Sequence, residues 1–372
     1  MTNPPGGTPD PPRIEATNPW GSLRAWVDDD GMTVYLCIGP VGEERVIEQS
    51  VWVRNDVAAP EVSGPDIGAL DPLVRLPQPR RHTKHPYGKP LVKGQVMELL
   101  WLEAGDGVAL VVDGEVEAIL PAWSGVGGLR GYAAEARGRG PVAWELVAPN
   151  PLTSRVARAR AHWDALNGGM LWPMIESADV HHLERVLGKR EGLWVVTPNG
   201  EPPRRVSSFR SADGGTLVYA TIGMASQPMP RVEADSDEPE KHRRVSIALA
   251  TRGDDSWVPR VLGDLARYPW RAVEWIGDLH VVGVPGIASG ERVGELVGVL
   301  LTASPPPTDG VPAPSLGGQL DRSGDPVLWL WALPVTESEA LWATEHGTEA
   351  LLARLAAAGA GWVHDPARAP VV

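Results

Sequence analysis

The feature that most constrains the fold is a series of short apolar runs separated by turn-forming residues. Between Val96 and Pro121, the turn signals "EAGDG" and "DGE" divide the sequence into three such runs, which is typical of a β-meander. The runs Met32–Gly39 and Arg45–Arg54 mix β-branched and aromatic residues on either side of "PVGEE" and predict a hairpin. Residues 18–150 are therefore predicted to form a β-rich N-terminal domain.

Two helices are predicted in the middle of the chain. The pattern "LTSRVARARAHWDAL" (Leu152–Leu166) indicates a helix that Thr153 or Ser154 caps and that "NGG" ends. The pattern "SADVHHLERVLG" (Ser177–Gly188) indicates a second helix, with its serine as the N-cap and its glycine as the stop. We interpret residues 151–190 as a helical connector between two β-rich halves.

Strands and helices alternate in the C-terminal half. Strand patterns include "LWVVTP", "TLVYATIG", "RRVSIALAT", "LHVVGV", "ELVGVLLTA" and "PVLWLWALPV". Ser256–Trp270 and Thr336–Gly359 have helical patterns. The second starts with a capping box of Thr336 and Glu339, and Gly347 divides it. The prediction is an α+β fold of mixed, largely antiparallel sheets flanked by helices.

Domain boundaries follow from these patterns. Residues 191–359 form the predicted C-terminal domain. Residues 1–17, rich in Pro, Gly and Thr, are predicted to be a disordered tail, and residues 360–372 a second tail. The long Pro-rich stretch 58–90 is predicted to be a loop.

The charge balance restricts the partners. The chain has 372 residues and a formal net charge of -13. Such a surface repels nucleic-acid phosphates, which need a basic footprint, so no nucleic-acid partner is expected. It suits a cationic protein partner, whose encounter it would speed by electrostatic steering. The alternative interpretation is that the acidic balance only keeps the protein soluble.

Compartment and membrane expectations rest on three features. Cys37 is the only cysteine, so an intrachain disulfide is impossible. The segment "MTNPPGGTPDPP" has neither the basic nor the apolar region of a signal peptide. No apolar run approaches the roughly 18 residues of a membrane span. A cytoplasmic protein without a membrane partner is expected.

No catalytic, metal-binding or cofactor-binding pattern is evident. The loop "GVGGLRG" (Gly125–Gly131) lacks the spacing of a phosphate-binding loop and lacks a following helix, so it is interpreted as a structural turn. "HTKH" and "HH" lack zinc-ligand spacing. Cys37 lies in an apolar strand, as a small buried hydrophobe would, and His280 is interpreted as structural. We expect no enzyme, metal or cofactor.

The charged segment after the sequence "GMASQPMP" is the predicted partner-binding site. Its acids are expected to steer a basic partner, and an apolar groove lined by tryptophan and methionine is expected to supply affinity. The alternative is a solvated connection in which Arg243 and Arg244 pair with these same acids. The predicted site residues are Glu233, Asp235, Asp237, Glu238, Glu240, Met224 and Met229.

The same region carries a family resemblance. "VYATIGMASQPMPRVEADSDEPEKHRRVSIAL", "VLGDLARYPW", "WIGDLHVVGVP", "ELVGVLLTASPP" and "VLWLWALPVTESEALWATEHGTEALLARL" resemble, in order, the core of suppressor-of-fused-like proteins. The resemblance covers residues 193–356 and departs from the family pattern at Ala225 and at "GDLH". In the N-terminal half, "HPYGKPL", "LPAWSG" and "RGYAAEARGRGPVAWEL" resemble an extension of bacterial members.

The resemblance implies a non-enzymatic, protein-binding module with a mixed α+β fold. The animal family member sequesters a transcription factor by clamping a short peptide, and bacterial relatives are associated with immunity in polymorphic toxin systems. A partner such as a cationic toxin domain is therefore expected. Two alternatives remain open: a hydrolase-type enzyme with a site in the cleft between the halves, and a regulatory adaptor.

Overall fold

The computed structural model describes residues 13–372, except for positions 43, 93, 148, 199 and 254 and residues 62–75, 212–213 and 285–295. The chain divides into two compact units, Met1–Trp163 and Asp164–Val372.

The described residues of the N-terminal unit contain two sheets. In the first, the order β1-β2-β3-β4 follows the chain and every pair is antiparallel. In the second, the order is β5-β6-β7-β8-β9, and only β8 and β9 are parallel. The strands are β1 Ile14–Thr17, β2 Leu23–Asp29, β3 Thr33–Pro40, β4 Gln49–Asn55, β5 Met97–Trp101, β6 Val108–Val112, β7 Glu115–Leu120, β8 Tyr132–Ala133 and β9 Trp144–Glu145.

The predicted hairpin and meander are both present in this unit. β3 and β4 form the hairpin, and β5, β6 and β7 form the meander. Strands β3 and β4 contact β7, so the two sheets share a core that includes Tyr35, Cys37, Trp52 and Ile119. Cys37 is a buried free thiol, as its apolar strand predicted.

The predicted disordered tail, residues 1–17, extends too far. Ile14–Thr17 form β1, which pairs with β2 from Ile14↔Val27 to Thr17↔Arg24. Backbone pairing with a buried strand outweighs the local bias against structure there. Residues 1–12 lie outside the described residues, as do residues 62–75 of the predicted loop 58–90.

The C-terminal unit is built on an eight-stranded sheet in the described residues. Its order is β10-β11-β12-β13-β16-β15-β14, with β17 paired to β13. β13 pairs in parallel with β16 and β17, and the other pairs are antiparallel. The strands are β10 Arg190–Val195, β11 Arg205–Arg210, β12 Leu217–Ile222, β13 Val245–Thr251, β14 Val281–Gly283, β15 Leu296–Thr302, β16 Leu328–Thr336 and β17 Val363–His364.

The helices confirm most of the predicted elements. They are α1 Pro151–Asn167, α2 Leu171–Leu187, α3 Val232–Asp235, α4 Pro239–His242, α5 Val258–Leu265, α6 Tyr268–Ala272, α7 Glu337–His346 and α8 Thr348–Ala357. The α7 capping box of Thr336 and Glu339 is formed, and Gly347 separates α7 from α8 as predicted. The pattern Ser256–Trp270 gives two helices, α5 and α6, because Pro269 breaks the run.

The first two helices start earlier than predicted. At α1 the Asn150 side chain, rather than Thr153 or Ser154, accepts a hydrogen bond, from the backbone N–H of Leu152. Helix α2 starts at Leu171, so Ser177 lies inside it and is not a cap. Leu183 and Leu187 of α2 pack in the core of the C-terminal sheet, so α2 belongs to that unit and not to a separate connector, residues 151–190.

Residues 360–372 are not a free tail. Val363 and His364 form β17, and Trp362 is buried against Trp331 with 5.2 Å between ring centroids. The Arg368 guanidinium contacts the fully buried carboxylate of Glu339. None of the helices in the described part of the chain has both the length and the apolarity that crossing a membrane requires.

Candidate partner-binding surface

The acidic segment, residues 231–244, connects β12 to β13 and contains the short helices α3 and α4. Asp235, Asp237, Glu238 and Glu240 are exposed there, as predicted for residues that meet a partner. Glu233 is only partly exposed. The segment therefore presents four acids of the predicted five to solvent.

Internal ion pairs occupy part of this acidic surface. Asp235 lies 3.4 Å from Arg231, and Glu238 lies 2.5 Å from Lys241. The hydrogen bond and charge of Lys241 lower the pKa of Glu238. Such exposed pairs contribute little to stability and leave the carboxylates within reach of a partner.

Asp237 and Glu240 are the free acids of the segment. Both are exposed, and neither forms an ion pair with any residue that the structure describes. Their exposure and lack of an ion-pair partner among the described residues make them the strongest candidates for steering charges in the acidic segment, although the charge of Glu240 also acts on Arg243.

The two arginines at the end of the segment point to other acids. Arg243 contacts Asp325 at 2.5 Å and Glu233 only at 3.9 Å. Arg244 lies 2.9 Å from both Asp321 and Asp325. The alternative in which both arginines neutralise the acids of the segment itself therefore holds only for the long Arg243–Glu233 contact.

Asp325 is the centre of this charge cluster. Burial alone would raise its pKa, but hydrogen bonds from Arg243 and Arg244 outweigh burial and hold the pKa at about 2. Arg244 also donates from Nη1 to the backbone carbonyl of Ala225 at 3.1 Å. The cluster thus connects the acidic segment to the turn that follows β12.

That turn is structural, and the two predicted methionines do not line an exposed groove. Met224 and Met229 are 0% and 2% exposed, so this part of the predicted site is wrong for the free chain. The apolar side chains turn inward because the segment after β12 packs over the sheet, where Ala225 joins the same core as α2.

Gly223 shows why the turn has this sequence. Its φ is 83°, a left-handed conformation that favours glycine, and an added Cβ would lie 2.5 Å from the Trp172 ring. Its N–H donates to the buried carboxylate of Asp179 at 2.7 Å. Burial raises the pKa of Asp179 to about 6, although this bond and one from Gln319 oppose the rise.

A buried arginine also contacts the segment that forms this turn. Arg204 is 1% exposed, its guanidinium lies 4.9 Å from the Trp270 ring centroid, and it donates to Gln227 at 3.2 Å. Burial lowers its pKa to about 9. The segment "GMASQPMP" is therefore held by packing and hydrogen bonds on several sides.

Strand β10 provides an apolar surface that the sequence analysis did not single out. Its outer edge pairs with no strand in the described residues, because β10 is the first strand of the sheet. Leu193 and Val195 are 41% and 71% exposed on this strand. Unpaired strand edges with apolar side chains are ready to pair with another chain.

The registers place this edge near the acidic segment. Val195 pairs with Arg205, and Arg205 pairs with Ile222 at the end of β12. Two strand spacings, about 10 Å, therefore separate Val195 from Ile222. The acidic segment starts nine residues after Ile222, so the chain enters it from the same end of the sheet as Val195. The sheet thus brings apolar and acidic groups together at one end.

Three histidines that the sequence analysis considered have structural partners. His182 is buried with Nε2 2.8 Å from the Leu316 carbonyl oxygen. His280 packs 4.8 Å from the Trp275 ring, and burial lowers its pKa. His85 contacts the carboxylate of Glu135, a partner 50 residues away that the sequence analysis missed. In the described part of the chain, no group of three or more His, Cys, Asp or Glu side chains is arranged to hold a metal ion.

Comparison with known families bears directly on this unit. Residues 200–369 match the family model described as "Suppressor of fused protein (SUFU)". This segment is a suppressor of fused domain. The resemblance of the C-terminal motifs is thereby confirmed, and the matched segment contains both the acidic segment and the Arg244–Asp325 cluster.

Solved structures of suppressor of fused proteins are also similar. A homologue from Neisseria gonorrhoeae FA 1090 has 15% identity and a TM-score of 0.39, over 54% of this chain and 98% of that one. A crystal structure of the Sufu–Fu complex has 12% identity and a TM-score of 0.38, over 53% of this chain and 92% of that one. No curated protein matches the chain.

Proposed function

We propose that this chain is a protein-binding module that holds an extended, basic segment of a protein partner. The partner segment pairs with the outer edge of β10, and its basic side chains meet the acidic segment. The suppressor of fused match over residues 200–369 supports a binding role, since the resemblance implies a protein-binding module without catalytic chemistry.

The proposal rests on one observation: an exposed apolar strand edge and exposed acids lie at the same end of the sheet. Leu193 and Val195 are exposed on an unpaired edge, and Asp237 and Glu240 are exposed at the same end of the sheet. Main-chain pairing with an edge gives affinity, and pockets or side chains beside it give specificity. The acids would speed the encounter, and the edge would slow dissociation.

The partner that fits this surface best is a cationic protein domain in the cytoplasm. The net charge of -13 favours association with such a domain. The bacterial relatives that the N-terminal motifs resemble are associated with immunity in polymorphic toxin systems, so we propose a cationic toxin domain as the partner. The resemblance supports this step, and the charge is consistent with it.

A capture experiment tests the proposal. The tagged full-length chain is used to capture partners from its own cells at low and at physiological salt, with p-benzoylphenylalanine incorporated in place of Val195. We expect one basic protein to be captured, more strongly at low salt, and to crosslink at position 195 on illumination.

Matched charge variants make the result specific. The test variant combines Asp237→Asn, Glu238→Gln and Glu240→Gln, and the control variant combines Glu48→Gln, Glu115→Gln and Glu345→Gln, which are exposed acids elsewhere. The test variant should lose capture at low salt while the control retains it. Equal capture by both variants, or crosslinking only at a control position such as Leu341, would overturn the proposal.

A further inference from the structure

A cavity of about 660 Å³ lies in the C-terminal unit, apart from the acidic segment and the edge of β10. It forms where the last residues of the chain fold back against β16 and the end of α8. Its volume is in the range of small-molecule sites. Apolar atoms supply much of the wall, from Leu333, Pro334, Leu355, Val363 and Val371.

Three arginines line this cavity, and they differ in how they are paired. Arg368 is occupied, because it contacts the fully buried Glu339 and donates to the Pro334 carbonyl. Arg252 lies 2.6 Å from Asp309, but both side chains are more than half exposed, so the pair is weak. A ligand anion can compete for Arg252.

Arg354 differs from the other two arginines because it forms no ion pair within the described residues. Its guanidinium lies 4.5 Å from the Trp342 ring centroid, and no carboxylate in the described residues pairs with it. Stacking on an aromatic ring holds a guanidinium in one orientation and leaves its N–H donors available at the edge. An oriented, unpaired guanidinium beside apolar walls is suited to an organic anion.

The end of α8 offers little to a cation. A helix C-terminus normally attracts positive charge through its unpaired carbonyls. Here the carbonyls of Arg354, Leu355 and Ala356 already accept hydrogen bonds from the N–H groups of Ala358, Ala360 and Gly359. The backbone of this cavity wall therefore does not compete with an anion for the guanidinium.

A buried histidine adds an unmet hydrogen-bonding group. His364 lines the cavity, is 8% exposed, and its Nε2 has no hydrogen-bond partner in the described residues. A buried polar atom without a partner is costly.

We propose that this cavity binds a small organic carboxylate, that is, a carboxylate group joined to an apolar body. Arg354 binds the carboxylate, with Arg252 released from Asp309 as a second donor, and the apolar walls cover the rest of the ligand. Free organic acids and the C-terminus of a peptide share this chemistry.

Titration calorimetry of the full-length chain with matched probes tests the proposal. The probes are octanoate, its neutral counterpart octanamide, and N-acetylleucine as a mimic of a peptide C-terminus. We expect octanoate or N-acetylleucine to bind at least about tenfold more tightly than octanamide, because a charge-assisted hydrogen bond to the guanidinium is lost in the amide. The tighter of the two acids identifies the source.

Variants of exposed arginines complete the test. Arg354→Met should weaken carboxylate binding about tenfold or more, and Arg354→Lys should weaken it less. Arg158→Met, an exposed arginine on α1, should bind like the parent chain. Equal binding of octanoate and octanamide, unchanged binding by Arg354→Met, or no binding of either acid at about 1 mM overturns the proposal. Unchanged thermal unfolding of each variant confirms that it is folded.

Discussion

Arg244 and Asp325 lie 81 residues apart in the sequence and are in direct contact, with Nε donating to Oδ2 at 2.9 Å. The arginine side chain is 4% exposed and the aspartate side chain 12%. The same guanidinium also donates to the Ala225 carbonyl oxygen at 3.1 Å and to the Ser323 hydroxyl oxygen at 3.2 Å. This contact fixes the end of the acidic segment to the turn before β16, so the segment is presented on a rigid support.

Removing Arg244 should destabilise the C-terminal unit strongly. In Arg244→Met, Asp325 keeps its contact with Arg243, but the buried carboxylate of Asp321 loses Arg244. Leaving a buried charge uncompensated costs about 3 kcal/mol or more in the free energy of unfolding. Urea unfolding followed by circular dichroism measures this loss. The control is Lys241→Met, whose pair with Glu238 is more than half exposed on both sides, so this variant should leave the free energy of unfolding nearly unchanged. Similar losses in both variants would contradict the role given to Arg244.

The Asp325 carboxylate should make stability depend on pH at the acid end. Its folded-state pKa is about 2, below the ordinary value of about 4, so the unfolded chain binds the proton more tightly. The stabilisation is therefore present above about pH 4 and is lost as the pH falls toward 2. Urea midpoints of the parent chain and of Asp325→Asn should differ at neutral pH and converge as the pH falls toward 2.

The control for this pH dependence is Asp309→Asn, which removes an exposed carboxylate paired with Arg252. Its midpoint should stay close to that of the parent chain throughout. A difference between Asp325→Asn and the parent that stays constant down to pH 2 would show that Asp325 acts through shape and not through its charge.

Local patterns could be predicted from the sequence, and long-range contacts could not. The meander β5–β7 and the capping box of α7 depend on neighbouring residues, so both were predicted correctly. The burial of Met224 and the contact of His85 with Glu135 depend on which surfaces meet in the folded chain. From sequence alone, a methionine beside a charged loop resembles a binding residue. Its burial becomes evident only when the packing of that loop is known.

The exposed residues of the site also show what the sequence can and cannot predict. Charge alone predicted that Asp235, Asp237, Glu238 and Glu240 would face solvent, since unpaired carboxylates are rarely buried. The edge position of β10 depends on strand order, which the alternation of its residues does not encode. The exposure of Val195 was therefore beyond the sequence analysis.

Gly223 should tolerate no side chain. In Gly223→Ala, the new Cβ meets the Trp172 ring at 2.5 Å, and the residue must also keep a φ of 83°. Left-handed strain costs about 1 kcal/mol or more, and the clash adds to it, so we expect a loss of about 2 kcal/mol or more. The matched control is Gly214→Ala, where φ is 71° and nothing lies within 4 Å of the added Cβ. Equal losses in the two variants, measured by urea unfolding, would show that Trp172 moves aside without cost.

Cys37 should report the opening of the N-terminal unit. Burial raises the pKa of its thiol to about 12, and the side chain is 0% exposed on β3. Only the thiolate is alkylated, so the folded chain should react with iodoacetamide at about pH 8 roughly 1,000-fold more slowly than the chain in concentrated urea. Mass spectrometry measures the rate, and Cys37→Ser, which removes the only cysteine, is the blank. Fast alkylation of the folded chain would mean that β3 separates from β2 and β4 under native conditions, and that the core of this unit is open on the timescale of the reaction.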